Sequence, residues 1–143
     1  MQIDGRCLCG LITYEAAIDP ERVAICHCTD CQVHSGSAFR FIAVVRKQDF
    51  RLLTGHLKTH VKTAQSGAKR AQLFCPECGT SLYGTDATDP QTFSLRLGTA
   101  RQAKELTPGL QIWRRSALGW VLGIETKTKF DEQPPIQQIT GTQ

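Results

Sequence analysis

The chain reads as a mainly β, single-domain fold built around cysteine knuckles, with few short helical turns. Three observations carry that reading. Apolar, aromatic and β-branched residues recur in short runs with period two. Gly10, Gly36, Gly55, Gly67, Gly84 and Gly98 punctuate those runs at turn spacing. Seven cysteines fall into tight clusters: Cys7 and Cys9, then Cys26, Cys28 and Cys31, then Cys75 and Cys78. The count is odd and the gaps are short, which suits thiolates converging at ~2.3 Å on a soft metal better than a disulfide framework. Zinc is the ion this pattern predicts.

In order along the chain, Leu11–Ala16 reads as a strand directly after the first cysteine pair. Thr29–Ser35 can form a helical turn. Ala38–Val45 is the strongest strand segment, rich in aromatic and β-branched residues. Leu57–Thr63 alternates as a half-exposed strand, and Arg70–Phe74 runs into the third cysteine cluster. Thr92–Leu97 alternates with period two, Ala100–Leu106 can form a second helical turn, and Gln111–Trp113 is a short strand. Trp113 and Trp120 are expected to pack in the core, with a pocket wall as the alternative. The domain is expected to span residues 1–130, and the polar tail 131–143, with Pro134-Pro135, is expected to be loosely ordered.

At 143 residues the chain can bury a substantial core, so metal adds to that core rather than replacing it. The N-terminus has no apolar signal region and no apolar run approaches the ~20 residues of a membrane span, so no membrane association is expected. Free thiols without an export signal imply a reducing compartment, and the cytoplasm is the expected location. The net charge of +4 is mild and its cations are scattered rather than gathered on one stripe, which argues against nucleic acid as a partner.

The knuckles differ in kind. Cys7-Leu8-Cys9-Gly10 and Cys75-Pro76-Glu77-Cys78-Gly79 both end in Cys-Gly, where glycine can take positive φ and turn backbone N–H groups toward the sulfurs. Two similar half-sites far apart in sequence would close one tetrahedral, structural Cys₄ zinc site. Cys26, Cys28 and Cys31 then form a second zinc site with three thiols and an open position, giving two Zn²⁺ per chain. A fourth ligand from His27, His34, His56 or His60 would close that site instead. His27 lies between two of the ligands, so its ring is expected to point away, and His34, three residues after Cys31, is the strongest alternative. Spacing alone also allows other partitions of the seven sulfurs.

Arg6-Cys7-Leu8-Cys9-Gly10, Cys26-His27-Cys28-Thr29-Asp30-Cys31 with Ser35-Gly36-Ser37-Ala38-Phe39, and Phe74-Cys75-Pro76-Glu77-Cys78-Gly79-Thr80 resemble the glutathione-dependent formaldehyde-activating enzyme family, whose domain centromere protein V shares. The resemblance runs from about Gly5 to Phe130. It implies a tent-like β fold with one structural and one second zinc, and it matches Cys7, Cys9, Cys75 and Cys78 to the structural set and Cys26, Cys28 and Cys31 to the other. The family often carries a His-Ile pair near the C-terminus. Here that pair is Gln111-Ile112, so no role for the histidine carries over.

Three thiolates on Zn²⁺ make a centre of formal charge −1, a weak Lewis acid better suited to holding a further thiol as its thiolate than to acidifying water. An anionic ligand there needs nearby cations, and Arg40, Arg46, Lys69, Arg96 or Arg114 could supply them. The expected function is a zinc-dependent carbon–sulfur lyase acting on glutathione, or a similar thiol, and formaldehyde, of the S-(hydroxymethyl)glutathione synthase type. The alternative is a non-catalytic zinc module binding a protein or nucleic acid. A homodimer is compatible with either.

Overall fold

The structure, a computed structural model, describes residues 1–124 and 130–140. Ten strands are present among them: β1 (Gln2–Arg6), β2 (Thr13–Ala17), β3 (Ala24–Cys26), β4 (Arg40–Arg46), β5 (Phe50–Thr54), β6 (Lys58–Thr63), β7 (Lys69–Phe74), β8 (Ser81–Asp86), β9 (Thr92–Arg96) and β10 (Leu110–Ile112). Two short α-helices, α1 (Thr29–Ser35) and α2 (Ile136–Thr140), and several 3₁₀ turns complete the chain. Strands β1, β2 and β5 form one sheet in the order β1-β2-β5. The other seven form a sheet in the order β10-β3-β4-β9-β8-β7-β6, antiparallel except where β10 runs parallel to β3. The fold is mainly β, as the patterning predicts.

Strand alternation assigns the faces of the large sheet. Ala43 and Val45 on β4, Tyr83 on β8, and Phe93 and Leu95 on β9 are buried in one core with Ile3, Tyr14 and Ala16 of the small sheet. Phe50 ties the two layers: its ring lies 5.5 Å from Tyr14 and 5.1 Å from Tyr83, and Tyr83 stacks on Phe93 at 4.4 Å. The Tyr14 hydroxyl, which would be costly to bury alone, meets Thr99 Oγ1 at 2.8 Å. The opposite face of the same sheet is polar. Cys26 pairs with Arg40, Ile42 with Arg96, Ser94 with Gly84, Gly84 with Gln72, Gln72 with His60, and Arg70 with Lys62. Residues opposed across a ladder share a face, so these registers gather cations and cysteine on one surface.

One close approach fixes how the small sheet seats. A Cβ at Gly5 would lie 2.4 Å from the Tyr14 ring and 2.6 Å from the Thr99 carbonyl oxygen. Gly5→Ala is expected to cost about 1–3 kcal/mol, because a buried ring and a backbone carbonyl must both move. Denaturant unfolding of the variant checks this, and a midpoint equal to the parent's would show that the approach is not tight.

The structure corrects several expected boundaries. Strand β2 starts at Thr13, because Leu11 and Ile12 belong to the turn whose Ile12 N–H meets Cys7 Sγ at 3.2 Å. Strand β4 starts at Arg40, after the αL cap Gly36 that ends α1. β10 spans Leu110–Ile112, and Ala100–Leu106 contains a 3₁₀ turn at Ala103–Glu105. Strands β1, β3, β5 and β8 have no counterpart in the sequence reading. The tail expected to be loose contains α2, while the expectations for 125–129 and 141–143 lie outside the described residues. Trp113 and Trp120 are not core residues: they are 48% and 60% exposed. Among the described residues no helix is long and apolar enough to cross a membrane.

Candidate metal centres

Two groups of sulfurs converge. Sγ atoms of Cys7, Cys9, Cys75 and Cys78 lie within 4.8 Å of one another, and so do those of Cys26, Cys28 and Cys31. The first group forms where the turn between β1 and β2 meets the turn between β7 and β8. Gly10 (φ 83°) and Gly79 (φ 72°) take the left-handed conformation after the second cysteine of each pair. The two knuckles are stitched together by Leu8 N–H donating to Thr80 Oγ1 at 3.1 Å. Thr80 Oγ1 also lies 3.1 Å from Cys78 Sγ, and this contact, with the Thr80 and Cys9 backbone N–H groups, holds Cys78 down to about 5. Cys7–Cys9 and Cys9–Cys75 sulfur separations are 3.5 and 3.8 Å. A tetrahedron of sulfurs around a centre at ~2.3 Å has an edge of ~3.8 Å, so the group fits a metal ion without rearrangement.

The second group is local. Cys26 ends β3, Cys28 is the N-cap of α1, and Cys31 lies in the first turn of that helix. Cys31 N–H donates to Cys28 Sγ at 3.3 Å, and Cys31 Sγ lies 3.5 Å from Cys26 Sγ. Hydrogen bonding from Cys31 holds Cys26 down to about 5, and that same contact pushes Cys31 up. Cys26 is buried, while Cys28 and Cys31 are half-buried and line a cavity of about 240 Å³.

Arg40 and Arg96 face that cavity, only 5% and 9% exposed. Arg40 donates to Ser81 Oγ at 3.1 Å and to His34 Nδ1. Arg96 donates to Ser94 Oγ at 3.0 Å and to Gln72 Oε1 at 2.9 Å, and a Cβ on Gly84 would lie 3.1 Å from both Arg96 Nη2 and Gln72 Oε1. Among the described residues neither guanidinium makes an ion pair with a carboxylate, and the Nε of each lacks a partner. Burial pulls Arg96 down to about 10 and lowers Arg40, while the cysteines oppose both shifts. Buried cations are stable only beside compensating charge, and here the cysteine cluster is what can supply it. Three thiolates on a divalent ion carry −1 and the two arginines +2, so the site retains one positive charge for an anionic ligand. Residues present therefore fit a soft or borderline divalent metal.

The histidines fall elsewhere. His27 is fully buried with its ring turned onto Gln111 Oε1 at 3.0 Å, as its position between two cysteines predicts. His34 meets Arg40 and stands apart from the converging sulfurs. His60 lines the cavity, and His56 is exposed in the β5–β6 turn. Of the five cations proposed from sequence, Arg40 and Arg96 line the cavity, whereas Arg46, Lys69 and Arg114 do not. A wider groove of about 720 Å³ continues from Cys28 and Cys31 past Lys62, Arg70, Arg96, Trp113 and Arg115. Lys62, Arg70 and Arg115 escaped the sequence reading as groove residues, while Trp113 takes the pocket-wall alternative rather than core packing. The signal for Lys62 and Arg70 was present, since both lie on alternating segments either side of a short Gln65-Ser66-Gly67 turn, and pairing them needs only the hairpin register.

A model of the family described as glutathione-dependent formaldehyde-activating enzyme matches residues 2–116. An uncharacterized lyase of Schizosaccharomyces pombe is 28% identical over 82 residues, covering 57% of this chain and 56% of its own length. The chain thus spans about half the length of that curated relative. A crystal structure of a Rhodobacter sphaeroides protein superposes with a TM-score of 0.58 at 17% identity, covering 76% of this chain and 98% of that one, a likeness of fold.

Proposed function

Because the chain belongs to the glutathione-dependent formaldehyde-activating enzyme family, we propose that it is a zinc-dependent carbon–sulfur lyase acting on a glutathione-like thiol and formaldehyde or a related aldehyde. In this reading Cys7, Cys9, Cys75 and Cys78 hold a structural zinc, and Cys26, Cys28 and Cys31 hold a second one with a position open to substrate. The observation that carries it is the pair of buried arginines, without carboxylate partners among the described residues, beside three converging sulfurs and a cavity. A zinc ion bound there would hold an incoming thiol as its thiolate, the nucleophilic form.

The chain's own residues do the rest. Arg40 and Arg96 offset the negative charge that accumulates when a fourth sulfur enters. Arginine only donates, so His34 Nδ1 must accept from Arg40, which leaves the His34 proton on Nε2 at the cavity wall. Burial and then the Arg40 charge lower the His34 pKa, which keeps the ring neutral. That N–H can donate to the aldehyde oxygen as the C–S bond forms and the carbonyl π pair moves onto oxygen. The oxygen takes a proton from solvent in place of the one the thiol released, and the reverse direction returns both.

Cobalt substitution tests this reading, because Co²⁺ in a thiolate site gives a visible spectrum. Millimolar glutathione is expected to change the spectrum of the wild-type protein and to leave the spectrum of a Cys31→Ser variant unchanged. No change in the wild type, with no effect on formaldehyde adduct formation, would instead favour a non-catalytic zinc module.

A further inference from the structure

The groove beyond the cysteine cluster carries an assignment of its own. Its side chains include Lys62, Arg70, Arg96 and Arg115 against one lining carboxylate among the described residues, Asp30, which is already paired with Lys62. Asp86 lies opposite Arg70 in the strand register and offsets part of that charge. Arg96 is nine-tenths buried at the groove's foot. Arg115 stands at the rim with no carboxylate in ion-pair distance among the described residues, and its guanidinium sits 5.0 Å from the Trp113 ring centroid.

The rim is held in place by unusual means. Trp113 has φ 58°, a left-handed backbone that a bulky residue adopts only where its surroundings impose it. Those surroundings are the cysteine knuckle itself. Strand β10 pairs with β3 up to Cys26, His27 N–H donates to the Ile112 carbonyl at 3.0 Å, and Gln111 meets the His27 ring. Gln32 then donates at 2.8 Å to both the His27 and the Ser116 carbonyls, closing the segment on each side of Trp113 and Arg115. Strain spent on an exposed tryptophan, on a segment anchored to the knuckle at three places, has a use if that segment must present a fixed cation to the groove.

We propose that Arg115, stacked on Trp113, is a specificity-determining residue that selects thiols bearing a carboxylate remote from the sulfur. This rests on the lyase reading above. A thiol whose sulfur enters beside Cys28 and Cys31, near Arg96, lays the rest of its chain along the groove, where Arg115 meets its negative end. The stack on tryptophan limits the rotamers Arg115 must give up on binding.

The test titrates the cobalt-substituted protein at low ionic strength with glutathione and with its diethyl ester, which lacks free carboxylates. Glutathione is expected to bind more tightly than the ester and to lose that advantage as salt is added. Arg115→Gln is expected to weaken glutathione roughly two- to fivefold, the size of a partly exposed ion pair, and to leave the ester unchanged. Arg115→Glu should weaken glutathione further. Arg114→Gln, one residue away and outside the groove, should do neither. Equal losses for acid and ester, or equal effects of Arg114→Gln and Arg115→Gln, overturn the assignment while leaving the lyase reading intact. Absence of a response to any thiol overturns both.

Discussion

Cys75→Ser is expected to leave the protein largely unfolded or aggregated. Cys75 is fully buried and belongs to the main core, in the cluster that contains Leu82, Leu95 and Leu97. Its sulfur converges with Cys7, Cys9 and Cys78, joining the turn after β1 to the turn after β7, more than sixty residues away in the chain. A structural Cys₄ zinc would couple ~10–16 kcal/mol of binding to folding, against a typical total stability of ~5–15 kcal/mol. Removing one ligand also leaves a buried hydroxyl facing three sulfurs. Circular dichroism and metal content of the purified variant check this. A folded Cys75→Ser protein with a Tm near the parent's would mean that the four sulfurs do not hold a structural ion.

What the sequence made legible follows from how local each signal is. Helix α1 was readable as the Thr29–Ser35 turn, which Gly36 ends. Strands β6 and β9 were readable from alternation, although only β9 turns one set of its side chains to the core while β6 lies nearly all exposed at the sheet edge, and β7 was readable from its run into the third cysteine cluster. Strand β8 was not. Its Leu82, Tyr83, Gly84 and Thr85 are all buried, so no alternation marks it. Strand β3 has three residues, and β5 is mostly exposed, so neither offers a period to count. Trp113 and Trp120 misled because a large aromatic is usually worth burying, whereas here backbone strain and a knuckle anchor hold one of them at a groove. At the site, the two sulfur groups follow from spacing and knuckle type, yet the choice of Arg40 and Arg96 among five candidate cations depends on the β3–β4–β9 register. That register is a non-local property, invisible to any window along the chain.

Cys31→Ser is expected to give a folded protein that has lost one metal ion and its thiol chemistry. Cys31 is half-buried on a seven-residue helix, and its cluster draws every sulfur from six consecutive positions, so it ties no distant segments together. The core between the two sheets contains none of these three cysteines. Unfolding should therefore move by only about 2–4 °C, the scale of a ~1 kcal/mol change in a domain of this size. Metal content should fall from two ions per chain to one, and chelator titration of the parent should remove the same ion first, since in the proposed assignment three ligands would hold it against four. Adduct formation should drop at least about a hundredfold, because a hydroxyl neither supplies the third thiolate charge nor balances Arg40 and Arg96 as a thiolate does. The contrast between the two serine variants is what separates a reactive site from a second structural one. If Cys31→Ser unfolds the domain as badly as Cys75→Ser, the middle cluster is part of the scaffold, and the buried arginines are there to neutralise it rather than to receive a substrate.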